Sequence, residues 1–97
     1  MDGVLSSEYS WEFVTASKCL AQNRCELVYA RLIPSAAETD AALYAGRDAN
    51  GKLITPMATA VITDVEFSPA VPIYCAEGLY AYMGTHATGI LVIWRNL

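Results

Sequence analysis

The chain has 97 residues, of which 55% are hydrophobic and 16% are charged, and its formal net charge is −4. Average soluble domains carry about 25% charged residues, so this chain has little charge with which to cover a small domain whose surface is large relative to its volume. No apolar run approaches the roughly 18 residues of a membrane-spanning helix. The six basic residues are scattered, which disfavours nucleic acid as a partner. We therefore expect one domain that binds neither membrane nor nucleic acid and buries apolar surface against other protein chains.

The N-terminal segment has neither the basic nor the apolar region of a signal peptide, so we expect the protein to fold in a reducing cytoplasm. Its three cysteines, Cys19, Cys25 and Cys75, are an odd number, and the spacing of the first two matches no common zinc motif. The sequence therefore predicts reduced thiols, with Cys75 buried as a small apolar residue. It predicts no metal and no cofactor.

Residues 1–9 are small and polar and are predicted to form an N-terminal arm, followed by a single β domain over residues 10–97. From Tyr9 to Thr15, aromatic and polar residues alternate with the period of a β-strand, which places Tyr9, Trp11 and Phe13 on one face. We favour ordinary core as the interpretation of that face, and the alternative is a surface that lies on a neighbouring subunit. We select these three residues as one part of a predicted oligomer or capsid interface.

Residues 16–24 give no clear pattern, and residues 25–33 form a predicted strand that is apolar on both faces. Residues 35–46 allow two interpretations. The first is a short helix, because residues 35–38 fit a capping box and Gly46 could terminate the helix. We favour the second, a loop followed by a strand through residues 43–44, because the turn that follows needs a strand before it.

That turn centres on Asn50-Gly51, a strong turn dipeptide because both residues tolerate positive φ. The apolar runs on either side predict a β-hairpin with its return strand over residues 52–55. Further strands are predicted over residues 60–67, 73–76, 79–83 and 90–94. About seven or eight short strands separated by Gly and Pro predict an all-β single domain, an antiparallel β-sandwich, jelly roll or small barrel.

The last strand is apolar on both faces, and a domain of this size has too little interior to cover both. We therefore select Leu91, Ile93 and Trp94 as the second part of the predicted interface.

No motif predicts catalysis. His86 is the only histidine, stands in a polar loop and has no nucleophile beside it in the sequence, so we expect an exposed loop histidine. Asp64 and Glu66 are a candidate cation or acid–base pair on one strand face, although the solvated face of an amphipathic strand explains them better. We predict no catalytic residues and no enzyme activity.

Four segments resemble a pattern in small proteins from the structural gene clusters of tailed bacteriophages: Leu43-Tyr44-Ala45-Gly46, Asp48-Ala49-Asn50-Gly51-Lys52-Leu53-Ile54, Gly78-Leu79-Tyr80 and Val92-Ile93-Trp94-Arg95. The chain departs from the pattern at Ala45, where Asp or Asn is more usual. The resemblance implies a β-sandwich virion protein, assembled in the host cytoplasm, that decorates or cements the capsid. It implies no catalytic residues.

These observations lead to one leading hypothesis and two alternatives. The leading hypothesis is a homo-oligomer, such as a trimer, that binds the major capsid protein or another virion protein and stabilises the shell by burying apolar surface. The first alternative is a tail- or capsid-borne module that binds host-surface glycans through exposed Tyr and Trp side chains. The second is a small enzyme, which would require His86 to lie near Cys75 or a carboxylate.

Overall fold

The structure, a computed structural model, describes residues 9–97. They form nine β-strands and no helix, which confirms the predicted all-β class. None of these residues therefore belongs to a helix able to cross a membrane. Of the predicted arm, only Tyr9 lies among the described residues. The strands are β1 Ser10–Val14, β2 Lys18–Ala21, β3 Cys25–Pro34, β4 Ala41–Ala45, β5 Lys52–Pro56, β6 Val65–Phe67, β7 Ile73–Cys75, β8 Leu79–Met83 and β9 Ala87–Asn96.

The strands pair into two antiparallel sheets. One sheet has the order β1-β9-β3-β6, with β7 also paired to β3, and the other has the order β2-β8-β4-β5. Strand β9 pairs along the length of β3. Strands β7 and β6 share the other side of β3, with β7 beside its first residues and β6 beside its later ones. Strand β1 is consequently an edge of the five-stranded sheet.

One hydrophobic core collects inward-facing side chains from both sheets. Its largest members are completely buried and include Leu27, Leu32 and Ile90 of the five-stranded sheet and Leu43 and Leu79 of the four-stranded sheet. Burial of each such side chain contributes roughly 1.5–3 kcal/mol. The core also determines which side chains of each strand point outward.

Strands β4 and β5 form the predicted hairpin, so the strand interpretation of residues 35–46 is confirmed and the helix is not. The turn has a different physical basis from the predicted one, because neither Asn50 nor Gly51 has a positive φ. Instead, the Asp48 carboxylate accepts a hydrogen bond from the Asn50 N–H at 2.9 Å, and the Asp48 carbonyl accepts one from the Gly51 N–H at 3.1 Å. Glycine is required at position 51 for space, since a Cβ there would lie 2.5 Å from the Ala45 carbonyl oxygen.

Three other strands differ from the predicted ones. Strand β2 was not predicted, and β9 begins at Ala87 rather than at residue 90. Strand β6 covers only Val65–Phe67 of the predicted segment 60–67, because the chain bends before it and leaves Val61 and Ile62 exposed.

A β-bulge interrupts the regular alternation of faces along β3. Leu27 lies opposite Trp94 and Tyr29 lies opposite Ile93, so Val28 is one extra residue on β3. Strict alternation places Leu27 on the same face as Tyr29. Because of the bulge, Leu27 instead points inward and is completely buried.

Candidate interaction surface

The outer face of the five-stranded sheet carries a contiguous apolar patch. We call the four side chains Trp11, Phe13, Leu91 and Ile93 the apolar patch; they come from the neighbouring strands β1 and β9. Trp11 lies opposite Ile93, and Phe13 lies opposite Leu91. Directly opposed residues on one face of an antiparallel pair have Cβ atoms about 4.5–5.5 Å apart, so the four side chains form one block.

The aromatic residues at the start of the described chain are exposed. Tyr9, Trp11 and Phe13 are 49%, 70% and 42% exposed, whereas Val14 is completely buried. The interpretation of these three aromatics as ordinary core is therefore wrong: the sheet turns the odd-numbered residues of β1 outward and Val14 inward. Leu91 and Ile93 on β9 are half-buried.

The ring of Phe13 packs on the backbone of Gly89 in β9. A Cβ at position 89 would lie 2.4 Å from Cζ and 2.6 Å from Cε2 of Phe13. Phe13 lies opposite Leu91, so Gly89 is its diagonal neighbour across the strand pair. The missing side chain at Gly89 creates the space that the aromatic ring fills, and this contact fixes the position of the ring within the patch.

A polar cluster borders the apolar patch along β3 and β6. Arg31 lies 2.9 Å (Nη2) and 3.0 Å (Nε) from Oδ2 of Asp64. The Tyr29 hydroxyl donates to Oε2 of Glu66 at 2.5 Å, and this hydrogen bond to a carboxylate raises the pKa of Tyr29. On β3, Tyr29 and Arg31 lie directly opposite the two β9 residues of the patch. Alternation along β3 is enough to place Tyr29 and Arg31 on one face, but no signal in the sequence marks them as part of this surface.

The two acidic residues of this cluster do not act as a pair. Asp64 lies just before β6 and Glu66 lies within it, and each binds a different side chain of β3. Both are exposed, as expected for a solvated strand face.

Trp94 occupies the opposite face of β9 from the apolar patch. It lies opposite Ser10 on β1 and Leu27 on β3, belongs to the core cluster and is 7% exposed. Its indole Nε1 is buried and has no hydrogen-bond partner among the described residues. Of the six residues selected from the sequence, the structure therefore brings Trp11, Phe13, Leu91 and Ile93 together, places Tyr9 next to β1, and directs Trp94 into the core.

The apolar patch ends at an open sheet edge. Within residues 9–97, β1 pairs only with β9. The other side of β1 therefore presents backbone N–H and C=O groups that a strand from another chain could pair with. Patch and edge are contiguous because Trp11 and Phe13 belong to β1.

A second aromatic group lies on the outer face of the four-stranded sheet. Tyr44 lies opposite Tyr80, with ring centroids 6.5 Å apart, and Tyr82 follows two residues later on the same strand as Tyr80. All three tyrosines are half-buried, and the Tyr82 hydroxyl lies 3.5 Å from Oδ2 of Asp40. We call these three residues the tyrosine row.

The predicted chemical candidates lie apart from one another. His86 is an exposed turn residue, as predicted, and its Nδ1 lies 2.9 Å from the Ala37 carbonyl oxygen. Its own carbonyl accepts a hydrogen bond from Ser35, which follows the last residue of β3, whereas Cys75 pairs with the first residue of β3. A ten-residue strand is about 30 Å long, so His86 and Cys75 are near opposite ends of the domain. Residues 9–97 contain no group of three or more His, Cys, Asp or Glu side chains that could hold a metal ion.

Comparison with known proteins identifies no relative of this chain. No protein-family model matches the chain, and neither characterised proteins nor solved structures give a significant match.

Proposed function

We propose that this chain is a structural virion protein of a tailed bacteriophage, which forms a homo-oligomer such as a trimer and decorates or cements the capsid. We also propose that its two antiparallel sheets form a β-sandwich of the jelly-roll type. The observation that carries the functional proposal is the exposed apolar patch beside an open sheet edge. The resemblance of the chain to small phage virion proteins supports the capsid as the place where this surface is used.

The composition of the surface fits a protein–protein contact. Stable interfaces concentrate their energy in a few aromatic residues that lose contact with water, and polar groups surround them. Trp11 and Phe13 supply the aromatic centre, and Phe13 is held in place by Gly89. The ion pair between Arg31 and Asp64 supplies a polar border on one side.

The mechanism is linkage between binding and shell assembly. A protein that binds the assembled shell but not the free subunits stabilises the shell by RT ln(1 + [L]/Kd) at every site. At a concentration 100 times Kd this is about 2.7 kcal/mol per site, and a shell repeats the site many times. Burial of the apolar patch, against another copy or against the capsid protein, supplies the binding free energy.

The first experiment measures the molar mass of the purified protein by light scattering across a dilution series. We expect a discrete oligomer that dissociates at low concentration. A monomer at every concentration would refute the homo-oligomer.

The second experiment adds the protein to phage shells assembled without it, and measures bound protein and the temperature at which the shells break open. We expect saturable binding and a higher disruption temperature. If the protein does not bind shells, the capsid role is refuted, whatever its oligomeric state.

The tyrosine row favours one alternative function, the binding of host-surface glycans. Sugar rings stack on aromatic side chains, and Asp40 beside Tyr82 offers a carboxylate to sugar hydroxyl groups. A glycan array probed with wild-type protein and with Tyr80→Ala tests this alternative. Binding that the substitution removes would support glycan recognition, and an array without signal would refute it.

A further inference from the structure

Two of the three cysteines lie directly opposite each other in the five-stranded sheet. Cys25 is the first residue of β3 and Cys75 is the last residue of β7, and they are register partners in the antiparallel pair. Both are completely buried members of the core cluster, so both side chains are on the inward face. Their separation of 50 positions in the sequence gives no sign of this contact.

The position of the pair meets the geometric requirement of a disulfide. Opposed residues of antiparallel strands have Cα atoms about 4.5–5.5 Å apart, and disulfides span Cα distances of about 4.4–6.8 Å. Both cysteines are free thiols in the structure. We propose that Cys25 and Cys75 are a redox site, at which a peroxide converts the two thiols into a disulfide that joins β7 to β3.

The oxidation takes two steps. The thiolate of one cysteine attacks one peroxide oxygen, the O–O bond breaks, and hydroxide leaves to give a sulfenic acid at that cysteine. The sulfur of the other cysteine then attacks the sulfenic sulfur, and the S–S bond forms as water leaves. In total, two thiols and one hydrogen peroxide give one disulfide and two water molecules.

Strand β7 controls access to the two sulfurs. It has three residues and pairs only with β3 among the described strands. Its residues Ile73 and Tyr74 line an open cleft of about 250 Å³ that they share with Leu53 and Ile54 of β5. A short edge strand beside an open cleft can separate locally from the sheet at far less cost than global unfolding. Local opening of β7 thus admits a small oxidant to thiols that are closed to solvent in the folded state.

The disulfide would stabilise the domain because it constrains the unfolded chain. It encloses β4, β5 and β6, and closing a loop of about 50 residues removes much conformational entropy from the unfolded state. We expect the midpoint of thermal unfolding to rise by on the order of 10 °C. The same bond would hold β7 against β3.

The test uses the full chain with Cys19→Ser, because Cys19 is the more accessible third thiol. The protein is treated with a small excess of hydrogen peroxide and then examined by intact mass, non-reducing peptide mapping and thermal unfolding. We expect the loss of two hydrogen atoms, a peptide cross-link between Cys25 and Cys75, and a higher unfolding midpoint that a reducing agent reverses. Addition of one or more oxygen atoms, a covalent dimer, or a cross-link without a change in the midpoint would overturn the proposal.

Two single substitutions in the same background test whether both thiols are required. In Cys25→Ser and in Cys75→Ser the remaining cysteine has no partner, so we expect a sulfenic acid that dimedone traps, no internal cross-link, and no rise in the unfolding midpoint on oxidation. Each variant is compared with its own reduced form, so a loss of basal stability does not affect the comparison. A rise in the midpoint on oxidation of either single variant would overturn the proposal.

Discussion

Replacing Trp11 with alanine should weaken the proposed oligomer while leaving the fold intact. Trp11 is 70% exposed in the single chain, which corresponds to roughly 170 Å² of a side chain that can bury about 250 Å². At about 25 cal/mol per Å², covering this area contributes about 4 kcal/mol, of which alanine retains about a quarter. The expected loss of about 3 kcal/mol makes association roughly 100-fold weaker.

The assay is light scattering across a dilution series, and Val71→Ala is the matched control. Val71 is also 70% exposed, but it lies in the connection between β6 and β7, away from the apolar patch. The midpoint of dissociation should move to a roughly 100-fold higher concentration in Trp11→Ala and should not move in Val71→Ala. Urea unfolding of the monomer should change by about 1 kcal/mol or less, because a side chain that is 70% exposed makes few contacts within its own chain beyond its cross-strand pair with Ile93.

Two results would refute this reasoning. A dissociation midpoint that Trp11→Ala leaves unchanged would show that the oligomer does not bury the apolar patch. Equal shifts in Trp11→Ala and Val71→Ala would show that association depends on general surface hydrophobicity rather than on one defined contact.

Three further predictions concern the domain itself. Leu43→Ala should lower the free energy of unfolding in urea by about 2–5 kcal/mol, because the side chain is completely buried; a change below about 1 kcal/mol would contradict its place in the core. Gly89→Val should destabilise the domain by about 1–3 kcal/mol through a clash with Phe13. In a double-mutant cycle, the variant that also carries Phe13→Ala should recover much of that loss. Additive effects of the two substitutions would exclude the clash. The pKa of Tyr29 is raised in the folded state, so its hydrogen bond to Glu66 stabilises the fold at every pH below the ordinary tyrosine pKa of about 10. This stabilisation disappears as the pH rises through the higher pKa of the folded state. Tyr29→Phe should therefore show a slightly smaller alkaline loss of stability in pH-dependent thermal unfolding, and an unchanged alkaline profile would contradict the assignment.

Elements with strong local signals could be predicted from the sequence. The hairpin of β4 and β5 is one, because a turn-forming segment between two apolar runs leaves few other arrangements. Strand β2 is the contrasting case. Its four residues have a mixed local pattern and are ordered by pairing with β8, a strand about sixty positions later. Such a partner cannot be read from the residues of β2 alone.

The faces of strands were predictable only where alternation is regular. In β3, the extra residue Val28 moves Leu27 to the inward face, and nothing in the local sequence marks a bulge at that position. The cysteine pair has the same origin: Cys25 meets Cys75 only because β7 pairs with the first residues of β3. Long-range register decides these contacts, so the candidate redox site could not be predicted.

The two tryptophans show where the strand register places the many apolar residues of this chain. Trp11 and Trp94 belong to paired strands, yet Trp94 fills the core and Trp11 points outward. The core takes the even-numbered residues of β9 from Ile90 to Trp94, which leaves the odd-numbered residues, equally apolar, on the outer face. Of the other exposed apolar residues, Val61, Ile62 and Val71 lie in connections between strands, whereas Leu53 and Tyr74 lie on β5 and β7. The apolar patch differs from them because its two exposed aromatic residues lie on one strand and face apolar partners on the next strand. One partner can therefore cover its four side chains together, which is why the proposed interface is assigned to this face.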